Sequence, residues 1–311
     1  MFAVLALRRR SKTAAFFTAT ALGAALSTFV EITQCFVPGR DPSIQDVIAN
    51  TAGTAGGAVL ALWAPQMLKR RIRFLRPLSR TQPAALAIVC TWVLYRLFPL
   101  FPVLGTTTLA RKLLLVFSLQ GLPPVPVLSA AAEWFAVGAL LAVCGINRAE
   151  RWLALSLLLI PAQFFIVGRQ PSWAESIGAL AGYAAFIALR RNRQLAAIAG
   201  VFLIGILLFR GLSPFHMQAI ANRFEWIPLA SALQADWQSV LRVLVQKAFY
   251  YGITVWMLRH MMPGYRTAAL LTAALLAVIE AAQVWIPGRT PEITDPLLAL
   301  VWGEVFLFLK K

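Results

Sequence analysis

The chain has 311 residues, is 59% hydrophobic and 13% charged, and carries a formal net charge of +17. Apolar runs of roughly 18 or more residues recur, the length that crosses a hydrocarbon core about 30 Å thick, and this excludes an ordinary soluble domain. The basic excess does not point to nucleic acid, because it is confined to short clusters between the apolar runs.

In chain order, about ten membrane spans are expected, at 14–36, 44–64, 83–102, 125–145, 152–167, 173–190, 195–213, 241–258, 266–286 and 294–309. Basic clusters fall at Arg8–Lys12, Lys69–Arg80, Arg148 with Arg151, Arg190–Arg193, Arg259 with Arg266, and Lys310-Lys311. With the first of these inside, every cluster falls on the cytoplasmic side, as cytoplasmic loops require. The expectation is a bacterial inner-membrane protein with both termini cytoplasmic. The basic start followed by an apolar run is not read as a cleaved leader, because the end of that run carries a motif found again deep in the chain. Segment 103–124 contains an apolar stretch, Leu113–Leu119, too short to span, which is expected to lie at the interface or re-enter. Segment 214–240, with Trp226 and Trp237, suits the headgroup level.

The motif runs Glu31, Gln34, Pro38, Gly39, Arg40, Asp46 and returns as Glu280, Gln283, Pro287, Gly288, Arg289, Asp295. A weaker copy runs Gln163, Gly168, Arg169, Glu175, with Ile160 where the others have a glutamate. The intervals are the same in all three, so an internal repeat is expected. On this reading 1–64 is a half unit containing only a motif hairpin, while 83–190 and 195–309 are four-helix units of a plain hairpin and a motif hairpin. One more plain hairpin ahead of Met1 is then expected, and an intact native mass equal to Met1–Lys311 would contradict it.

Glu31 and Gln34 share a helix face. Asp46, Asn50, Gly53 and Gly57 share another on the following helix, where the glycines are expected to let the two helices approach closely. The Pro-Gly pair suits a tight turn, because glycine tolerates positive φ. Arg40 is expected to fork onto Asp46 or Glu31. All three Gly-Arg turns fall on the outer side. Ionisable groups at membrane depth pair or serve a function, which leaves two compatible readings. The arginine braces the hairpin, or it meets an anionic group such as a lipid phosphate. The candidate binding residues are Arg40, Arg289, Glu31, Gln34, Asp46, Asn50, Glu280, Gln283, Asp295, Arg169 and Glu175, with the first and third copies favoured and the middle one read as structural.

Elsewhere, Arg96 and Arg210 are expected to snorkel at outer helix ends. Glu133 is expected to pair with Arg111 or Lys112, and Glu304 with an inner arginine. Cys35, Cys90 and Cys144 lie in apolar runs with no CxxC, and His216 and His260 fall on opposite sides, so no disulfide framework, metal or cofactor is expected. No P-loop, GxSxG or HExxH motif is present, and nothing fixes a reacting centre.

Glu31, Gln34, Pro38, Gly39, Arg40, Asp46, Asn50 and Gly53 resemble the VanZ-like family of small bacterial membrane proteins. In that family an Asp-Lys pair followed by His and Tyr opens the span before the motif hairpin. Here the corresponding residues are Gln246-Lys247 with Tyr250 and Tyr251 in one unit and Glu133-Trp134 in the other. The resemblance implies a helical membrane protein connected with the cell envelope. The family's namesake is linked to low-level resistance to the glycopeptide teicoplanin. The expected fold is all-α, a polytopic bundle built from repeated hairpins. The expected function is binding or handling of an anionic amphiphilic envelope component at the outer leaflet, with a polyprenyl phosphate or glycolipid intermediate as examples. The alternatives are a transporter, an envelope enzyme with a carboxylate pair, and a structural membrane partner whose motifs only brace hairpins.

Overall fold

A computed structural model describes residues 12–35, 43–71, 82–103, 106–117, 122–170, 172–229 and 237–310. Arg40 with its Pro38-Gly39 turn, Asp41, Asp236, the basic residues from Arg73 to Arg80 and the side chain of Gln34 lie outside what is described. Regular structure in the described residues is helical, apart from two isolated backbone bridges. The chain divides into two units, Met1–Arg76 and Pro77–Lys311.

The first unit is a hairpin of α1 (Lys12–Gln34) and α2 (Ile44–Arg71). Ala15, Ala19 and Ala58 form its small core, with Phe16 packed against it. The close approach of the two helices is at Gly23, where an added Cβ would lie 2.6 Å from Thr54. It is not at Gly53 or Gly57, which face open space. Small residues permit such contact, but only those turned toward the neighbour make it. Toward the loop end of the hairpin, Glu31 Oε2 accepts from Ser43 N at 2.8 Å, and Asn50 Nδ2 donates to Ser27 Oγ at 3.0 Å.

The second unit begins with α3 (Pro83–Leu97), α4 (Thr106–Phe117) and α5 (Pro124–Val143). It continues with short α6 (Ala149–Ser156) and α7 (Leu159–Ala162), then α8 (Trp173–Leu189). A second series follows: α9 (Leu195–Leu212), α10 (Trp237–Leu258), α11 (Tyr265–Gln283) and α12 (Thr294–Lys310). Proline sits in the first turn of α3 and α5, where its missing N–H costs no hydrogen bond. The two series exchange helices. α3 packs against α10 of the second series, and α9 packs against α5 of the first. Within each series α5 is covered by α8, and α10 by α12. Trp92 and Trp134 meet edge to face at 4.9 Å in the buried layer between α3 and α5.

Among the described residues, four helices are long and apolar enough to cross a membrane: Thr13–Thr33 within α1, and α5, α9 and α11. α3 and α8 are apolar but shorter. The expected span 152–167 is not one helix. It breaks at Leu157-Leu158, before Pro161, and finishes as a 3-10 turn, Gln163–Phe165. A proline ring clashes with the carbonyl four residues earlier, which is Leu157. The expected span 83–102 also ends early, at Leu97, ahead of Pro99.

Candidate functional site

In the second unit, two copies of the motif can be compared atom by atom. Gly168 and Gly288 both take positive φ, 69° and 70°, so each Gly-Arg turn needs the conformation that glycine tolerates. Gly288→Ala is expected to cost about 1–2 kcal/mol, the strain of a Cβ in left-handed backbone, read as a lower unfolding midpoint. A midpoint unchanged within error would refute it.

The arginine after each glycine does not reach the motif acids. Arg169 Nε donates to Phe98 O at 3.3 Å and its Nη2 to Tyr95 O, both at the C-terminal end of α3. Arg289 Nη2 donates to Arg210 O at 2.6 Å and Ser213 O at 2.7 Å, at the end of α9. The last carbonyls of a helix have no partner within it and form the negative end of its dipole. Each arginine therefore caps a neighbouring helix, while the fork expected of Arg40 falls outside the described residues. Burial lowers the Arg169 guanidinium to about 10, which leaves it charged at neutral pH. Arg289→Ala is expected to lower stability by roughly 1.5–3 kcal/mol, the scale of a hydrogen bond to a charged group, with ligand binding retained. Equilibrium unfolding checks this, and lost binding in a stably folded variant would oppose it.

Asp295 and Glu175 pair instead with the plain hairpins. Asp295 accepts from Lys247 Nζ and from Tyr251 OH, both at 2.5 Å and both from α10. Glu280 Oε2 accepts from Glu292 N at 2.7 Å, as Glu31 does from Ser43 N, twelve residues on in each case. Gln283 Nε2 donates to Gly211 O at 3.1 Å. In the middle copy Gln163 Nε2 donates to Glu175 Oε1 at 2.9 Å. Glu175 also pairs with Arg96 of α3, and Arg96 pairs in turn with Glu133 of α5. Tyr250 of α10 donates to the other oxygen of Glu133.

Two expectations are corrected here. Arg96 does not snorkel, since it is 3% exposed and held between two carboxylates. Glu133 pairs with Arg96 and Tyr250, not with Arg111 or Lys112. Lys112 instead donates to Phe164 O at 3.0 Å and Ile166 O at 2.5 Å, closing the frayed end of the broken helix. Asn222 does the same for α11, donating to Gln283 O at 3.0 Å and Ile286 O at 2.8 Å. Arg210 lies over the Tyr250 ring, 4.4 Å from its centre. Glu304 pairs with Arg266 at 3.3 Å.

Arg96, Glu133, Glu175, Arg169 and Arg210 line a cavity of about 230 Å³. Three guanidinium groups, Arg96, Arg169 and Arg210, face two carboxylates, Glu133 and Glu175. With both acids ionised, one positive charge is in excess. Ser129 Oγ on the cavity wall is buried and has no hydrogen-bond partner among the described residues. The cavity is below the roughly 300 Å³ at which small-molecule sites usually begin, so it fits a headgroup rather than a whole lipid. It lies at the middle copy, the one the sequence reading had assigned to structure. Of the predicted residues it gathers Arg169 and Glu175, while Glu280, Gln283, Asp295 and Arg289 stand at the other motif. Glu31, Asp46 and Asn50 belong to the first unit.

The family model described as VanZ/LLP1 matches residues 1–65, so the hairpin that carries the motif most completely is VanZ-like. No curated protein matches the chain, and no solved structure does.

Proposed function

We propose that this is a VanZ-like bacterial inner-membrane protein that binds or handles an anionic amphiphilic envelope component at the outer leaflet. In this reading the chain crosses the membrane about ten times, with both termini cytoplasmic and the Gly-Arg turns outside. The segments 83–190 and 195–309 are two four-helix repeats, and 1–64 is a half repeat. The observation that carries the reading is the excess positive charge in a headgroup-sized cavity. Arg169 has no carboxylate partner among the described residues, its donors lying on backbone carbonyls, and Arg210 lies against a phenol. The orphaned Ser129 hydroxyl supports the same reading, since buried polar groups normally have partners. A lipid phosphate supplies both the charge and the acceptors. Arg289 then holds the scaffold, while Arg169 both caps α3 and faces the cavity. A part in the response to glycopeptide antibiotics is what the family resemblance suggests, and it extends from the first hairpin alone.

Titrating the purified protein in lipid discs with a polyprenyl phosphate and with the matching polyprenol tests the proposal. At least tenfold preference for the phosphate is expected, and equal retention of both would sink it. A transporter is the second reading, favoured by a polar cavity between two helix series that exchange partners. Accumulation of a labelled substrate inside proteoliposomes would select it over binding alone.

A further inference from the structure

We infer that the cavity takes a singly charged phosphodiester headgroup in preference to a doubly charged phosphate monoester. The inference rests on the proposed reading of the cavity as an anion site, and it names the class of anion. Arg96 of α3 is the cation shared by Glu133 of α5 and Glu175 of α8. One guanidinium cannot neutralise two carboxylates, so one more positive charge on the wall balances the pair. Arg169 and Arg210 are the other two cations there, and the remaining lining residues are uncharged. Arg242 of α10 donates to the Gly168 carbonyl at 3.4 Å, but it is exposed, off the wall, and screened by water. The wall therefore offers a ligand two guanidinium groups beyond Arg96 but a single net charge.

A phosphodiester matches both numbers. It has two unesterified oxygens, one for each guanidinium, and one negative charge, so the filled cavity is neutral. Two buried donors are also in place, since Ser129 Oγ and Arg96 Nε have no hydrogen-bond partner among the described residues. A monoester at neutral pH carries a second charge, because its second ionisation falls at about pH 6. That charge has no partner left on a wall where Arg96 is 3% and Glu133 2% exposed, and an uncompensated charge in such surroundings is disfavoured. The monoester then enters only with a proton taken up, which costs about tenfold in affinity for each pH unit above that ionisation.

The test compares retention of a polyprenyl phosphate, its methyl ester and the matching polyprenol by the full-length protein in zwitterionic lipid discs, at pH 5 and at pH 8. All three share one tail, and taking ratios at each pH cancels any titration of the wall itself. The two phosphates are expected to bind within about threefold of each other at pH 5, where both carry one charge, and the methyl ester about tenfold or more tighter at pH 8. Glu175→Gln adds one to the positive excess and is expected to bring the pH 8 ratio back to within about threefold. A monoester held as tightly as the methyl ester by wild type at pH 8 would overturn the inference and leave the anion site standing. Polyprenol held as tightly as both would overturn the anion reading and the inference together. Competition with phosphatidylglycerol names the source of the diester: displacement of the methyl ester assigns it to bulk phospholipid, and retention assigns it to a polyprenyl lipid, both upholding the single charge.

Discussion

Arg96→Met is expected to destabilise the folded protein by about 3–5 kcal/mol, the cost of removing one member of a buried ion pair. The size of the effect follows from what is left behind. Glu133 is 2% exposed, and with Arg96 gone it keeps only the phenol of Tyr250. Glu175 keeps the amide of Gln163. The two carboxylates then lose the cation that joins them, and only Arg169 and Arg210 remain as cations on the cavity wall. The triple variant Arg96→Met, Glu133→Gln, Glu175→Gln is expected to recover most of the loss, because neutral amides remove the stranded charge. Denaturant unfolding followed by tryptophan fluorescence suits the measurement, since Trp92 and Trp134 pack beside Arg96. A single-variant loss under about 1 kcal/mol would mean that the network is solvated and not a buried pair.

Arg210→Gln is expected to weaken binding of a polyprenyl phosphate by roughly 10- to 100-fold, since a hydrogen bond to a charged group is worth about 1.5–3 kcal/mol and each 1.4 kcal/mol is about tenfold. Its stability cost is expected to be smaller than that of Arg96→Met. Arg210 contributes two separable things. Its backbone carbonyl receives Arg289 at 2.6 Å and survives the substitution. Its side chain faces the cavity over Tyr250 and is lost. Unfolding reads the first contribution, and equilibrium retention in discs reads the second. Unchanged phosphate retention with intact folding would remove Arg210 from the site.

Much of the scaffold was legible in the sequence, and its polar centre was not. Gly288 takes the positive φ that its Pro-Gly turn suggested, because that requirement is local, and Gly168 takes it without the proline. Glu31 and Glu280 each reach the start of the next helix, as residues on the last turns of a hairpin can. The breakdown of 152–167 was also written in the sequence, in Pro161, but apolarity alone had been used to draw that span. The arginine partners were missed because the competing acceptors are backbone carbonyls, 71 to 79 residues away in the chain. Sequence spacing names acids, never free carbonyls. Arg96 joins Glu133, 37 residues away, and Glu175, 79 residues away, within the first helix series, a meeting that no spacing predicts. One signal was available: Arg96, Glu133 and Arg210 all interrupt apolar runs, and charges in such places seek each other. Assigning the arginines to snorkelling overrode it.

The claim that the cavity reads an anion is tested most directly by native mass spectrometry of the protein released from native-lipid discs. Wild type is to be compared with the Arg169→Gln, Arg210→Gln double variant, with the Arg289→Ala variant alongside as the scaffold control. The account predicts a defined phosphate-bearing lipid mass on wild type and on Arg289→Ala, absent from the folded double variant. The same bulk lipids on all three proteins, with no defined adduct, would contradict it.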